Sequence, residues 1–148
     1  MQQLAPVKKI REILQGCRRI AVVGLSPKPA RPSHQVALYL LRAGYDVIPV
    51  NPGFAQILGQ TCYPDLLAIP GSIDMVNIFR RSEEVLPVVQ AAIAKKVKVI
   101  WMQQGIVNEE AAELAEKQGI AVIMDRCLKV DHQNLLIPES GKADRAER

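Results

Sequence analysis

Residues 20–33 read Ile-Ala-Val-Val-Gly-Leu-Ser-Pro-Lys-Pro-Ala-Arg-Pro-Ser, and the architecture follows from this stretch. Its first four residues form a short apolar run that stops at Gly24, which is typical of a strand buried inside a parallel sheet. The polar loop that follows ends at Ser33, which we predict to cap the N-terminus of a helix. A buried strand, a glycine turn and a helix together predict the first unit of an α/β sheet.

The rest of the chain repeats this alternation of strand and helix, apart from an irregular segment at 54–70 with at most a short edge strand near Ile57. The order predicts an α/β fold, a Rossmann-like three-layer sandwich with a mostly parallel sheet of about five strands. We expect a single domain over residues 1–138, with an N-terminal helix in residues 1–16 packed on it, and a loose polar tail at 139–148. The predicted strands are Ile20–Val23, Asp46–Val50, Asp74–Phe79, Val97–Trp101 and Ile120–Met124, and the predicted helices are Leu4–Leu14, Ser33–Ala43, Ser82–Lys96 and Asn108–Gln118.

Composition narrows the classes of function. Hydrophobic residues make up 49% of the 148 residues and charged residues 23%, as in an ordinary globular protein. No apolar run is long enough for a signal-peptide core or a membrane span, so we expect a cytoplasmic protein that does not bind a membrane. Cys17, Cys62 and Cys127 are widely spaced, which disfavours a disulfide framework or a metal site and fits a reducing compartment.

Positive charge gathers in the first part of the chain. Residues 1–34 hold seven Lys or Arg residues and a single acidic residue, Glu12, whereas the net charge of the whole chain is +4. Only 4% of the residues are aromatic, and no nucleic-acid motif is present. The excess therefore predicts a small polyphosphate ligand and no nucleic acid.

The loop after the first strand carries groups that bind phosphate. Gly24 allows a sharp turn and a close approach of the backbone to a ligand. Ser26 offers a hydroxyl, and Lys28 and Arg31 offer positive charge. Ser33 lies at a predicted helix N-terminus, where the helix dipole favours anions. The alternative is a proline-rich surface loop whose basic side chains are merely solvated.

This loop departs from the glycine pattern that binds NAD. That pattern would place glycine at positions 26 and 29, which Ser26 and Pro29 occupy. The second strand ends in Asn51 and Pro52, without the acidic residue that usually binds the NAD ribose. An acid there would also repel the ribose 3′-phosphate of coenzyme A (CoA), so its absence disfavours NAD and removes one obstacle to CoA. An NAD(P)-binding oxidoreductase-like protein remains the alternative.

Six stretches, in order along the chain, carry a family resemblance. They are residues 20–33, Gly44–Pro52, Leu58-Gly59 with Tyr63-Pro64, Asp74–Arg81, Trp101–Gly105 and Met124–Cys127. Together they resemble the small stand-alone CoA-binding proteins, which are relatives of the N-terminal CoA-binding domain of the succinyl-CoA synthetase α subunit. The resemblance runs from about Ile10 to His132, and the ordered series is more specific than any single motif.

The resemblance implies a Rossmann-like fold with CoA or an acyl-CoA as the ligand. It implies that the first loop, which includes Leu25, holds the nucleotide end of CoA together with the Asn51-Pro52 turn and the strand end at Phe79-Arg80-Arg81. We expect the ligase activity not to carry over, because the sequence has no stretch that resembles the phosphorylated-histidine loop or the ATP-grasp partner of the synthetase.

Residues after the later strands are further candidates, because ligands bind at the carboxyl ends of parallel strands. We expect Phe79 to pack against adenine and Arg80, in preference to Arg81, to pair with a phosphate; the alternative is a core phenylalanine and two solvated arginines. Gln103 and Gly105 are expected to line the path of the pantetheine arm. Cys127 is either a buried small residue or a neighbour of the CoA thiol, where a mixed disulfide forms under oxidation.

No group of residues in the sequence requires catalysis. His34 and His132 have no nearby sequence partner for nucleophilic or metal chemistry. We therefore predict a non-catalytic CoA-binding carrier, sensor or regulatory module. An accessory CoA-binding subunit, completing an acyl-CoA synthetase supplied by a separate chain, would retain the same binding and stays open as an alternative.

Overall fold

The computed structural model of the protein describes residues 7–136. Its strands are β1 (Arg19–Val23), β2 (Asp46–Val50), β3 (Gln56–Ile57), β4 (Gln60–Thr61), β5 (Met75–Ile78), β6 (Val99–Met102) and β7 (Ala121–Ile123). Five strands form one parallel sheet in the order β2-β1-β5-β6-β7, while β3 and β4 form a separate antiparallel pair. The chain therefore adds β2 on one side of β1 and then adds β5, β6 and β7 in turn on the other side.

Helices cover both faces of the sheet. They are α1 (Val7–Gly16), α2 (Pro32–Arg42), α3 (Val85–Ala94), α4 (Glu109–Lys117) and α5 (Leu128–Asp131), and a π-helical turn follows at His132–Leu136. One face is covered by α1, α2 and α5, around Ile10, Leu40 and Leu128, and the other by α3 and α4, around Val89 and Ala115. The predicted α/β three-layer fold, with a parallel sheet of five strands, is confirmed.

The position of β1 explains why the strand is apolar from Ile20 to Val23. Ala21 and Val23 pack into the α3 and α4 layer, while Ile20 and Val22 pack into the α1 and α2 layer. Because β1 pairs with β2 on one side and with β5 on the other, neither of its edges faces water. A strand that is buried on both faces and both edges needs a continuous apolar run.

Two predicted helix caps have different outcomes. Asn108 caps α4 as predicted, since its side-chain oxygen accepts a hydrogen bond from the N–H of Ala111 at 2.9 Å. The prediction that Ser33 caps α2 is wrong, because Arg31 takes the cap position and Pro32 the first helical position. Proline suits that position because it lacks the N–H that the first turn would leave unpaired.

Two other segments refine the expected pattern. The predicted helix at 82–96 is divided into a 3₁₀ turn at Ser82–Glu84 and α3, with Pro87 in the first turn of α3, where a missing N–H breaks no helical hydrogen bond. The segment at 54–70 holds the β3–β4 pair and a 3₁₀ turn at Leu66–Ala68. Residues 1–6 and 137–148 lie outside the described part, so the predicted domain limit and tail stay predictions. Within that part no helix is long and apolar enough to cross a bilayer.

The helical segment at 128–136, which the periodicity of the sequence does not predict, packs against α1 and α2. The Tyr39 hydroxyl and the Nδ1 atom of His132 lie 2.6 Å apart. The His132 ring also contacts Tyr45 edge to face, with 5.6 Å between the ring centroids. From α1, Arg11 Nε donates a hydrogen bond to the Leu135 carbonyl at 2.9 Å. His132 thus connects this segment to the helical layer through two tyrosines.

Burial lowers the pKa of His132 below its ordinary value of 6.5. Near that pH the unfolded chain therefore binds a proton that the folded protein does not. The contribution of the neutral His132 to the free energy of unfolding is therefore complete above about pH 6.5. It is lost as the pH falls toward the lower pKa of the folded state. We expect the melting temperature to fall between about pH 7.5 and about pH 5.5, and the fall to be smaller in His132→Asn. An equal slope in both proteins would assign the effect to another group.

Candidate functional site

A cleft opens at the carboxyl edge of the sheet, where β1 and β5 end. The chain departs in opposite directions from these two adjacent strands, and such switch points are where open α/β sheets bind ligands. The cleft has a volume of about 380 Å³, within the range of small-molecule sites. Seven of the thirteen predicted contact residues line it, namely Gly24, Ser26, Lys28, Arg31, Ser33, Asn51 and Phe79, and Pro27, Pro32 and Phe54 complete the lining.

Gly24 lines the cleft and lies between the ends of β2 and β5. Its N–H donates to the Val50 carbonyl at 2.9 Å, and next to it the Phe79 N–H donates to the Val23 carbonyl at 2.9 Å. Gly24 has a φ of 85°, and a Cβ there would overlap the Phe79 carbonyl oxygen and lie 3.1 Å from the carbonyl carbon. Only glycine fits both the backbone conformation and the space.

The loop after β1 is held in shape by hydrogen bonds centred on Ser26. The Ser26 N–H donates to the Ser33 hydroxyl oxygen at 3.0 Å, and the Lys28 N–H donates to the Ser26 hydroxyl oxygen at 3.1 Å. His34 Nδ1 lies 2.9 Å from the Ser26 carbonyl oxygen, and because a carbonyl only accepts, Nδ1 carries the proton. The loop is therefore held in one conformation by its own hydrogen bonds.

These bonds change which donors face the cleft. The backbone N–H groups of Ser26 and Lys28 are already paired inside the loop. The two serine hydroxyls accept those bonds and keep their own hydrogens for donation. The first turn of α2 adds the N–H groups of Ser33 and His34, which have no partner within the helix. Hydroxyls and helix N–H groups thus replace the loop amides as donors.

Lys28 and Arg31 line the cleft, and neither forms an ion pair with a carboxylate of residues 7–136. The ion pairs within residues 7–136 are Arg19–Asp46, Arg81–Glu84, Lys98–Asp74 and Arg126–Asp131, so neither Lys28 nor Arg31 takes part in one. Both side chains are exposed, and no Asp or Glu among residues 7–136 lines the cleft. Unpaired positive charge next to a helix N-terminus makes this cleft suited to an anion.

Asn51 has a structural task that the sequence does not reveal. Its side-chain amide donates to the Leu25 carbonyl at 3.0 Å, and its side-chain oxygen accepts from the Gly53 N–H at 3.1 Å. It thereby connects the loop after β1 to the turn after β2. Leu25, also a predicted contact, is fully buried and does not line the cleft. An aspartate at position 51 could not donate to the Leu25 carbonyl, which gives a second reason for an amide here.

Pro52 and Arg80, also predicted to contact the ligand, do not line the cleft. Pro52 is exposed on the turn after β2, and Arg80 is half-buried beyond the end of β5. The neighbouring Arg81 donates to Glu84 at 2.7 Å, and this contact raises the pKa of the guanidinium. Contact of Arg80 with a phosphate stays a prediction.

Gln103, Gly105 and Cys127 lie farther along the sheet edge, near the ends of β6 and β7. Gln103 is buried, and its side-chain oxygen accepts from the Asn77 amide at 3.3 Å and from the Leu128 N–H at 3.4 Å. The Gly105 N–H donates to an Asp125 carboxylate oxygen at 2.6 Å. Cys127 is half-buried, packs against the core and precedes α5. The structure does not bring these three into the cleft lining, and their contact with a pantetheine arm stays a prediction.

Phe54 is a lining residue that the sequence analysis misses. It lies in the turn after β2, three residues beyond Asn51, and 45% of its surface is exposed. An aromatic residue in the turn that follows β2, at the carboxyl edge of the sheet, is the signal by which it could have been found. Among residues 7–136, no group of three or more His, Cys, Asp or Glu side chains is arranged to hold a metal ion.

Comparison with known proteins assigns the family. Residues 18–133 match the family described as a CoA binding domain. The chain belongs to this family. The CoA-binding domain is 48% identical over 124 residues to the uncharacterized protein YneT of Bacillus subtilis, an alignment that covers 84% of this chain and 92% of YneT. Its structure matches that of a hypothetical protein from Pyrococcus horikoshii OT3 with a TM-score of 0.87 and 40% identity, over 93% of this chain and 100% of the other.

The CoA-binding domain is also similar to part of a larger enzyme. It is 30% identical over 119 residues to ADP-forming acetate–CoA ligase I of Archaeoglobus fulgidus. That alignment covers 74% of this chain but only 17% of the ligase. The expected relation to acyl-CoA synthetases is confirmed, and it concerns a small part of the ligase.

Proposed function

We propose that this protein binds CoA or an acyl-CoA in the cleft at the end of β1. It acts in the cytoplasm without catalysis, as a carrier, a sensor or a regulatory module. The observation that carries the proposal is the pair of unpaired cations, Lys28 and Arg31, beside the preformed serine loop and the N-terminus of α2. Cationic side chains, hydroxyls and helix N–H groups are the donors that bind the phosphates of a nucleotide.

The polar groups around the cleft support binding rather than chemistry. The hydroxyls of Ser26 and Ser33 accept hydrogen bonds from backbone N–H groups, and His34 Nδ1 donates to a carbonyl. In this tautomer the lone pair of His34 lies on Nε2. Within residues 7–136, no hydrogen bond joins Nε2 to the hydroxyl of Ser26 or Ser33, as activation of a nucleophilic serine would need, so these groups favour holding a ligand in place.

NAD fits this site less well than CoA. The Asn51 side chain is committed to the Leu25 carbonyl and to the Gly53 N–H, so the end of β2 presents no acid for the 2′-hydroxyl of the adenosine ribose of NAD. The same absence leaves the cleft free of negative charge that would repel the 3′-phosphate of CoA. An oxidoreductase-like protein is therefore the weaker candidate.

An accessory subunit of an acyl-CoA synthetase is the second candidate, because the chain is 30% identical to part of an ADP-forming acetate–CoA ligase. CoA binding is common to this role and to the carrier or sensor role. The mass of the native protein isolated with its CoA separates them. A complex with a ligase-type subunit supports the accessory role, and an assembly of this chain alone supports the carrier or sensor role.

Thermal unfolding of the purified protein with CoA, 3′-dephospho-CoA, NAD and NADP tests the proposal. At a CoA concentration of 100 times its Kd we expect roughly 2.7 kcal/mol of added stability. For a chain of this size, that raises the melting temperature by about 5–10 °C. The dephospho form is expected to stabilise less, because it lacks one phosphate for the cationic cleft, and NAD least. Stabilisation by NAD and none by CoA would reverse the assignment.

A further inference from the structure

Phe54 has the placement of a ligand contact rather than of a core residue. Its ring belongs to neither of the two core clusters, although Ile57, three residues later, is buried in one of them. With 45% of its surface exposed, Phe54 leaves aromatic area in water at the lining of the cleft. Exposed aromatic area is unfavourable until another surface covers it.

The backbone on both sides of Phe54 is held in place. The Gly53 N–H donates to the Asn51 side chain at 3.1 Å, and the Ala55 carbonyl accepts from the Cys62 N–H at 2.9 Å. The ring therefore stands on a turn that is hydrogen-bonded on either side. A turn whose backbone is already ordered loses less conformational entropy when a ligand covers its side chain.

The lining of the cleft combines two kinds of surface. Lys28, Arg31 and the start of α2 supply positive charge, while Phe54 and Phe79 supply aromatic rings. Phe79 also packs against the core, whereas Phe54 does not. The aromatic ring pairs within residues 7–136 are Tyr39–His132 and Tyr45–His132, so the two phenylalanines do not stack on each other. The exposed Phe54 ring is thus free to cover a planar group of the ligand.

We propose that Phe54 is the stacking platform for the purine base of the ligand and makes the cleft selective for base-containing phosphates. This inference rests on the proposed function, since it assigns a part of the same ligand to one residue. A ring face attracts any planar base, and the larger area of a purine favours it over a pyrimidine. Phosphates without a base gain nothing from Phe54.

The test compares adenosine 3′,5′-bisphosphate with inorganic pyrophosphate by isothermal titration of the full chain. In Phe54→Ala we expect roughly tenfold weaker binding of the adenosine compound and unchanged binding of pyrophosphate. Phe54→Tyr retains the ring and is expected to bind both probes as the wild type does. Leu67→Ala is the matched control, because Leu67 is 61% exposed and does not line the cleft.

The outcomes separate this inference from the proposed function. Adenosine 3′,5′-bisphosphate binding to Phe54→Ala with wild-type affinity would overturn the inference while CoA binding by the wild type still stood. An equal loss for both probes would also overturn it, since that result means a distorted loop and not a lost stacking partner. A wild-type protein that binds neither CoA nor the adenosine probe would overturn both proposals.

Discussion

Gly24→Ala is expected to lower the free energy of unfolding by about 2–5 kcal/mol, through two separate effects. The φ of 85° at this position is unfavourable for any residue with a side chain. The added Cβ would also overlap the Phe79 carbonyl oxygen, and that carbonyl belongs to backbone that cannot move alone. The Phe79 N–H is bonded to β1 at the Val23 carbonyl, so relief of the overlap would separate the ends of β1 and β5.

Gly119→Ala is the matched control for this substitution. Gly119 has a φ of 80°, but a Cβ there would meet no atom within 4 Å. We therefore expect only the conformational cost at Gly119, about 1–2 kcal/mol. Thermal or urea unfolding of both variants measures the difference, and the melting temperature of Gly24→Ala should fall on the order of 10 °C. Equal losses in the two variants would show that the strand ends absorb the overlap without strain.

The sequence predicts the features that depend on neighbours along the chain. The apolar run before Gly24 identifies the central strand, because a strand buried on all sides leaves no polar positions. Asn108 identifies the start of α4, because an N-cap uses its own side chain and an N–H three residues later. The position of the site follows from the same reasoning, since parallel strands bring their carboxyl ends to one edge.

Features that depend on contacts across the fold are not predicted. Ser33 is read as a cap from its position after the loop, but the cap is Arg31, two residues earlier, and Pro32 is the first helical residue. The Ser33 hydroxyl is then available to the Ser26 N–H, seven residues back in the chain. The helix at 128–136 is missed because α1 and α2 stabilise it through His132 and Leu135, which its own periodicity does not show.

The predicted ligand contacts show the same difference between features set by the local sequence and features set by contacts across the fold. Gly24, Ser26, Lys28 and Arg31 lie in one continuous loop, so their common placement at the cleft follows from the local sequence. Gln103 appears available for a ligand in the sequence, yet in the structure its side-chain oxygen accepts bonds from groups on other elements. Which polar side chain stays free depends on neighbours that the topology brings together.

Arg31→Ala is expected to weaken CoA binding by about 1.5–3 kcal/mol, or roughly 10- to 150-fold. Arg31 lines the cleft at the start of α2 and has no ion pair within the described residues, so a ligand phosphate is its natural partner. Its side chain makes no capping hydrogen bond to the helix. The unliganded protein should therefore unfold at the wild-type temperature, and the change should appear in titrations with CoA.

Arg42→Ala distinguishes a direct contact from a change in overall charge. Arg42 is an exposed residue in the last turn of the same helix, so its removal lowers the net charge equally but at the end away from the cleft. We expect CoA affinity in Arg42→Ala to stay within about twofold of the wild type, because exposed charges separated by more than about 10 Å are screened by salt. Arg31→Lys keeps the charge but loses the planar guanidinium, so an intermediate affinity would indicate a two-pronged phosphate contact. Equal losses in Arg31→Ala and Arg42→Ala would mean that only the general field of the protein attracts CoA.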